Sequence, residues 1–298
     1  IRSWAILQSL AALTLVALGR YGLFENMMKV LIGLMTATLL LSVVMVGIDP
    51  GSLLRGLIPS FPKGSAAAAL SLMGGVGGSV TLLAYGYWIR EKGWRGSGAI
   101  SMVRIDLTVG YFLTGLFGVA MLLLSAAVLG GGGGMPPGSE ALVACGDAVR
   151  EATSARYGAN VGGAVATVFL VGIWGAVFTS TLGVWNGVPY LFADFLNALR
   201  GRYDADVDTR GFAYRGYLVF LAVPPMVLLF LDRPIWIIKL YTLTGGLFMP
   251  VLAATLLWLN SRRSKVGDLR NGAVAIATLV LALALFVGIA ARQLVDLF

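Results

Sequence analysis

The densest chemical signal in the chain is Met73-Gly74-Gly75-Val76-Gly77-Gly78-Ser79, followed by Thr81, near the middle of the apolar run Ala66 to Ile89. Each glycine weakens helix by about 1 kcal/mol relative to alanine. A helix that unwinds at Gly74, Gly75, Gly77 and Gly78 frees the carbonyl of Val76 and sets the hydroxyls of Ser79 and Thr81 just beyond it. Freed peptide and hydroxyl oxygens deep in a bilayer can hold an ion. The competing reading is packing, since small residues also let membrane helices approach closely.

Other candidates are sparser. Tyr241, Thr242 and Thr244 precede Gly245-Gly246 and Pro250, and Thr242 could lend an auxiliary oxygen. Asn186-Gly187-Val188-Pro189 interrupts the longest apolar run and reads as a kink near its inner end, with Asp194 close by. An intramembrane acid is a functional candidate, here for gating or proton movement, yet Asp194 could equally sit at the cytoplasmic interface. Pro224-Pro225 reads as a second kink. Tyr85, Tyr87 and Trp88 beside Arg90 read as an interfacial aromatic belt. Asp49-Pro50-Gly51-Ser52 resembles an ion-binding break but stands at the end of a run, where it signals a turn.

Enzyme chemistry has little to work with. The chain holds no histidine and one cysteine, Cys145, which removes the commonest zinc, haem and general-base ligand. It carries no paired intramembrane carboxylates, and Cys145 has no base beside it. The reading is therefore not an enzyme, with no cofactor. What the residues leave is the binding of an ion by freed peptide and hydroxyl oxygens.

These residues must be positioned by membrane helices. Of 298 residues, 58% are hydrophobic and 12% charged, against about 25% charged in a globular domain. The mean hydropathy is +0.87, so lipid is the solvent. The net charge of +8 does not signal nucleic acid, because the basic residues lie in short breaks between apolar runs. A transmembrane helix needs about 20 apolar residues. Suitable runs are Met27 to Gly47, Ala66 to Ile89, Leu107 to Leu129, Val161 to Trp185 continuing to Leu199, Phe212 to Leu231, Ile235 to Leu259 and Ala273 to Ala291. Trp4 to Leu18 adds a shorter piece, giving seven full spans and one partial span in a single transmembrane domain over 1–298.

Orientation follows from alternate breaks. One set holds Arg20, then Arg90, Lys92, Arg95 and Arg104, then Arg200, Arg202, Arg210 and Arg215, then Arg262, Arg263, Lys265 and Arg270. The opposite set is poorer in basic residues, so the first set is cytoplasmic and both chain ends lie outside. The longest outer break opens with Gly130 to Gly134, a flexible loop. Ser139 to Arg156 follows as an amphipathic interfacial helix that caps the bundle. A start at Ile-Arg-Ser-Trp, without methionine, reads as a cut, leaving the C-terminal part of something longer.

The order of segments resembles the second half of the Nramp family, proton-coupled divalent-metal transporters of the leucine-transporter-like fold. Arg20-Tyr21-Gly22-Leu23-Phe24-Glu25 is similar to the entry into the fifth helix, and Gly56-Leu57-Ile58-Pro59-Ser60-Phe61-Pro62 to the loop before the sixth. Phe169 to Thr181 resembles the eighth, and Leu247-Phe248-Met249-Pro250 with Asn260-Ser261-Arg262-Arg263 the tenth and its exit. The resemblance implies an all-helical membrane bundle, the second inverted repeat plus flanking helices, in a prokaryotic plasma membrane. It also implies alternating access, symport and a divalent metal ion as solute.

Where the family's broken sixth helix bears Met-Pro-His, this chain aligns Ser79, Val80 and Thr81, with Val76 at the family's carbonyl position. Hydroxyl and carbonyl oxygens suit hard cations such as magnesium, whereas thioether sulfur suits manganese or iron. The resemblance thus assigns Val76, Ser79 and Thr242 to the ion. The family's Asp-Pro-Gly-Asn ligands belong to a first helix upstream of Ile1, so the missing N-terminal helices of the same protein are the implied partner, together with the lipid bilayer. Two rivals stay open: an amino-acid or amine carrier of the same superfold, and a non-transporting membrane scaffold.

Overall fold

The computed structural model describes residues 2–19, 21–47, 51, 79–129, 140–203, 205–231 and 248–295. Among them every regular element is helical: α1 (Arg2–Leu18), α2 (Tyr21–Val46), α3 (Ser79–Glu91), α4 (Ile100–Leu129), α5 (Glu140–Tyr157), α6 (Ala159–Leu199) and α7 (Phe212–Leu228). Further along the chain come α8 (Phe248–Asn260), α9 (Arg263–Val266) and α10 (Ala273–Val295). Helices α2, α4 and α6 are long and apolar enough to cross a membrane. No strand occurs among the described residues, in keeping with the all-helical expectation.

Two compact units divide the chain. The first comprises Ile1–Ile58 and Ala84–Asp232, the second Pro59–Leu83 and Arg233–Phe298. In the described part of the second unit, the backbone N–H of Asn271 donates to the carbonyl of Asn260 at 2.8 Å, tying the approach to α10 back to the end of α8.

The first unit is organised around α6. Its 41 residues make a rod about 60 Å long, roughly twice the hydrocarbon thickness. One half of it joins Val165, Phe169 and Ile173 to Leu39 of α2, Ala120 and Leu124 of α4, and Cys145 and Val149 of α5. The other half joins Phe178, Leu182, Trp185 and Tyr190 to Ala12 and Val16 of α1 and Tyr214 and Leu218 of α7. Gly172 is what lets α2 come close: a Cβ there would overlap the Thr38 hydroxyl.

Several elements depart from the hydropathy reading. Helix α2 begins at Tyr21 rather than Met27, and α4 at Ile100 rather than Leu107. Charges just inside each start, Glu25 and Lys29 in α2 and Arg104 and Asp106 in α4, lower hydropathy without breaking helix, as in the i,i+4 pair Glu25–Lys29 at 2.8 Å. Helix α6 also runs without interruption through Asn186-Gly187-Val188-Pro189. There Pro189 is fully buried, and the Tyr214 hydroxyl donates to the Asn186 carbonyl at 3.0 Å, so packing holds the turn that proline weakens. Pro224 and Pro225 likewise lie inside α7.

The helix expected over Ser139 to Arg156 forms as α5, and it packs along α6. Cys145 is buried in that contact with a free thiol. Burial pushes the thiol pKa up. Gly47 closes α2 with φ of 70°, a left-handed conformation that suits glycine, and the Arg156 guanidinium reaches the neighbouring Val46 carbonyl at 3.3 Å.

Candidate functional site

Helix α3 starts at Ser79, the residue directly after the glycine run. Gly74, Gly75, Val76, Gly77, Gly78 and Thr242 lie outside the described residues, as does Asp49. Of the residues assigned to the ion, Ser79 alone is placed, in the first turn of α3. Among the described residues no three His, Cys, Asp or Glu side chains come together as a metal cluster.

What the geometry builds is the other end of α3. On that helix Tyr87 and Glu91 stand four residues apart and share a face; on α6 Asn186, Tyr190 and Asp194 form a stripe at the same spacing. The two stripes meet in reverse order. The Tyr87 hydroxyl donates to Asp194 Oδ2 at 2.6 Å, and the Tyr190 hydroxyl donates to Glu91 Oε1 at 2.7 Å. Each helix therefore gives one phenol and takes one, in two charge-assisted bonds. Trp88 Nε1 adds a third link by donating to Asn186 Oδ1 at 2.8 Å.

Aromatic rings fill the space between. Tyr87 and Tyr190 stack with centroids 5.4 Å apart and planes at 17°, and Tyr214 meets Tyr190 edge-on at 5.1 Å. The Arg90 guanidinium lies 5.8 Å from the Tyr87 ring centroid. Helices α3 and α6 meet through these long side chains, without the close backbone approach that α6 makes to α2 and α5.

A second anchor holds the segment after α3. Lys92 Nζ lies 3.4 Å from Asp106 Oδ1 on α4 and 3.5 Å from Glu25 Oε1 on α2, and it stacks over Trp94 at 4.5 Å. Tyr85 donates to the other oxygen of Asp106 at 2.7 Å. The three aromatic residues have specific partners: Tyr85 bonds to Asp106, Tyr87 to Asp194 and Trp88 to Asn186.

Sequence reasoning singled out Asp194 but missed its partner, 107 residues away. The available signal was the i,i+4 spacing of polar residues, Tyr87 with Glu91 and Asn186 with Tyr190 and Asp194, at the ends of two apolar runs.

Long apolar helices with charges gathered at their ends are what an integral membrane protein requires. Residues 1–296 match the family Nramp, natural resistance-associated macrophage protein-like, and the chain belongs to it. That family consists of integral-membrane transporters of divalent metal ions, not enzymes. Among curated proteins, none matches the chain in sequence.

Proposed function

We propose that this chain carries half of the ion site and a gate of a divalent-cation transporter that works by alternating access. The observation that carries the reading is the position of α3. It begins where the glycine run ends, and its far end is tied to α6 by the reciprocal phenol–carboxylate bonds of Tyr87 with Asp194 and Tyr190 with Glu91. A helix held by side-chain hydrogen bonds, each worth about 1.5–3 kcal/mol when one partner is charged, can be released at modest cost. Backbone-to-backbone packing gives no such freedom.

In this reading Val76 offers a carbonyl, Ser79 a hydroxyl and Thr242 an auxiliary oxygen, while Gly74, Gly75, Gly77 and Gly78 open the helix. Oxygen ligands without thioether favour a hard cation of the magnesium class. Asp194 is the gating acid: accepting the Tyr87 proton donor closes the basic end, and protonating or displacing it opens that end.

The test is metal uptake in cells expressing the complete gene. Ser79→Met should shift preference from magnesium toward manganese by on the order of tenfold, the equivalent of about 1.4 kcal/mol. Unchanged preference would overturn the role of Ser79.

A further inference from the structure

Beside the latch lies a polar cavity of about 600 Å³, bounded by the end of α1, the start of α2 and parts of α3, α6 and α7. Its lining includes Tyr21, Glu91, Asn186, Arg210, Tyr214 and Arg215. We propose that it binds an oxyanion of the phosphate class, at a site that shares Glu91, Asn186 and Tyr190 with the latch but whose argument does not depend on the transport reading.

The argument rests on donors that the protein leaves unused. Asn186 is 8% exposed. Its Oδ1 must be the atom facing Trp88, because the indole N–H requires an acceptor. That fixes Nδ2 as a donor, and Nδ2 has no hydrogen-bond partner among the described residues. That amide N–H is not among the sealed, partnerless polar atoms, so it stays within reach of the cavity's solvent and of a ligand acceptor there.

The same holds around the wall. The guanidinium groups of Arg210 and Arg215 form no ion pair among the described residues, and the Tyr21 hydroxyl makes no hydrogen bond there. Asp208, the nearest acid in sequence to Arg210, has its carboxylate turned back onto the Arg210 backbone N–H at 2.9 Å. It does not neutralise the guanidinium. The acidic lining residue, Glu91, already accepts from Tyr190 at 2.7 Å and is exposed to water.

The cavity therefore presents two fixed positive charges and several free N–H and O–H donors against one engaged carboxylate. A tetrahedral oxyanion supplies the matching acceptors, and arginine is the side chain best shaped for it. Phosphate can arrive as a free ion or as the headgroup of a lipid, since the charge bias puts this end at the cytoplasmic leaflet.

The test is calorimetric titration of purified protein with inorganic phosphate, and separately with a short-chain phosphatidic acid below its micelle concentration, in chloride buffer of matched ionic strength. Saturable binding should weaken at least tenfold in the Arg210→Gln, Arg215→Gln double variant. Asn186→Asp should weaken it similarly, because an aspartate still accepts from Trp88 but replaces the free donor with negative charge. Both arginines are exposed, so the double variant retains the fold and decides the matter even if Asn186→Asp unfolds. Tighter binding of the lipid identifies a headgroup as the source, and equal or tighter binding of inorganic phosphate identifies the free ion. Absence of saturable binding by either, or binding unaffected in the double variant, would overturn the proposal.

Discussion

Helix α6 makes two interfaces of opposite character. Toward α2 it presents Gly172, and the Thr38 hydroxyl occupies the space where a side chain would stand. Toward α3 it presents Asn186, Tyr190 and Asp194, whose partners reach across by phenol and indole. The first contact depends on shape over many small atoms and tolerates no displacement. The second depends on a few directional bonds, and those can be exchanged for water. A close-packed interface and an exchangeable one can thus share one helix, distinguished by whether contact is made with backbone or with side-chain tips.

The sharpest way to break the first interface is Gly172→Leu. Forcing a branched side chain into a closed contact costs about 1–3 kcal/mol and occasionally more, and here the obstacle lies on another helix, so loss of folded protein in a detergent-stability assay is expected. A melting temperature equal to wild type would show that α2 and α6 do not meet as described.

The second interface should respond differently. A double-mutant cycle of Tyr87→Phe and Asp194→Asn should give a coupling of about 1.5–3 kcal/mol, read as a change in the inward-open population by spin-label distances. Folding should be preserved. Coupling near zero would overturn the proposed gating role of Asp194.

A smaller effect is expected where charge sits in water. Lys92 and its partners Glu25 and Asp106 are 19%, 27% and 37% exposed. Pairs of that exposure contribute roughly 0–1 kcal/mol, so Lys92→Met should lower stability by less than 1 kcal/mol, and less still in high salt. A larger loss would mark this anchor as part of the scaffold.

The smallest perturbation is a probe. Burial raises the Cys145 thiol pKa, and the group is uncharged below it. Its contribution to stability is therefore complete below the unfolded-state pKa and disappears as pH rises through the folded one. Alkylation at neutral pH should be slow in the native protein and fast after denaturation. Equal rates would place the α5–α6 contact outside the native state.

Much of the bundle was legible because hydropathy reports the environment of each stretch separately. Trp4 to Leu18, Leu107 to Leu129 and Ala273 to Ala291 all fall within observed helices. The helix starts were not legible: Glu25 and Lys29 read as a break in a polarity scan, whereas paired one turn apart they continue the helix. Proline misled in a similar way. Pro189 signals an interruption locally, but Tyr214, contributed by α7, holds that turn together. Asp194 was visible as an acid and Tyr87 as an aromatic residue, yet nothing local links them, because the bond between them is made by the chain folding back on itself. The glycine run and Thr242 rest on composition and resemblance.

The length of α6 has a mechanical consequence. Because one continuous rod is shared by both apolar clusters, neither cluster can melt while the other survives without snapping the rod between them. Heating should therefore dismantle this unit in a single cooperative step, and a denaturation curve with two plateaus would mean that the rod has a weak joint.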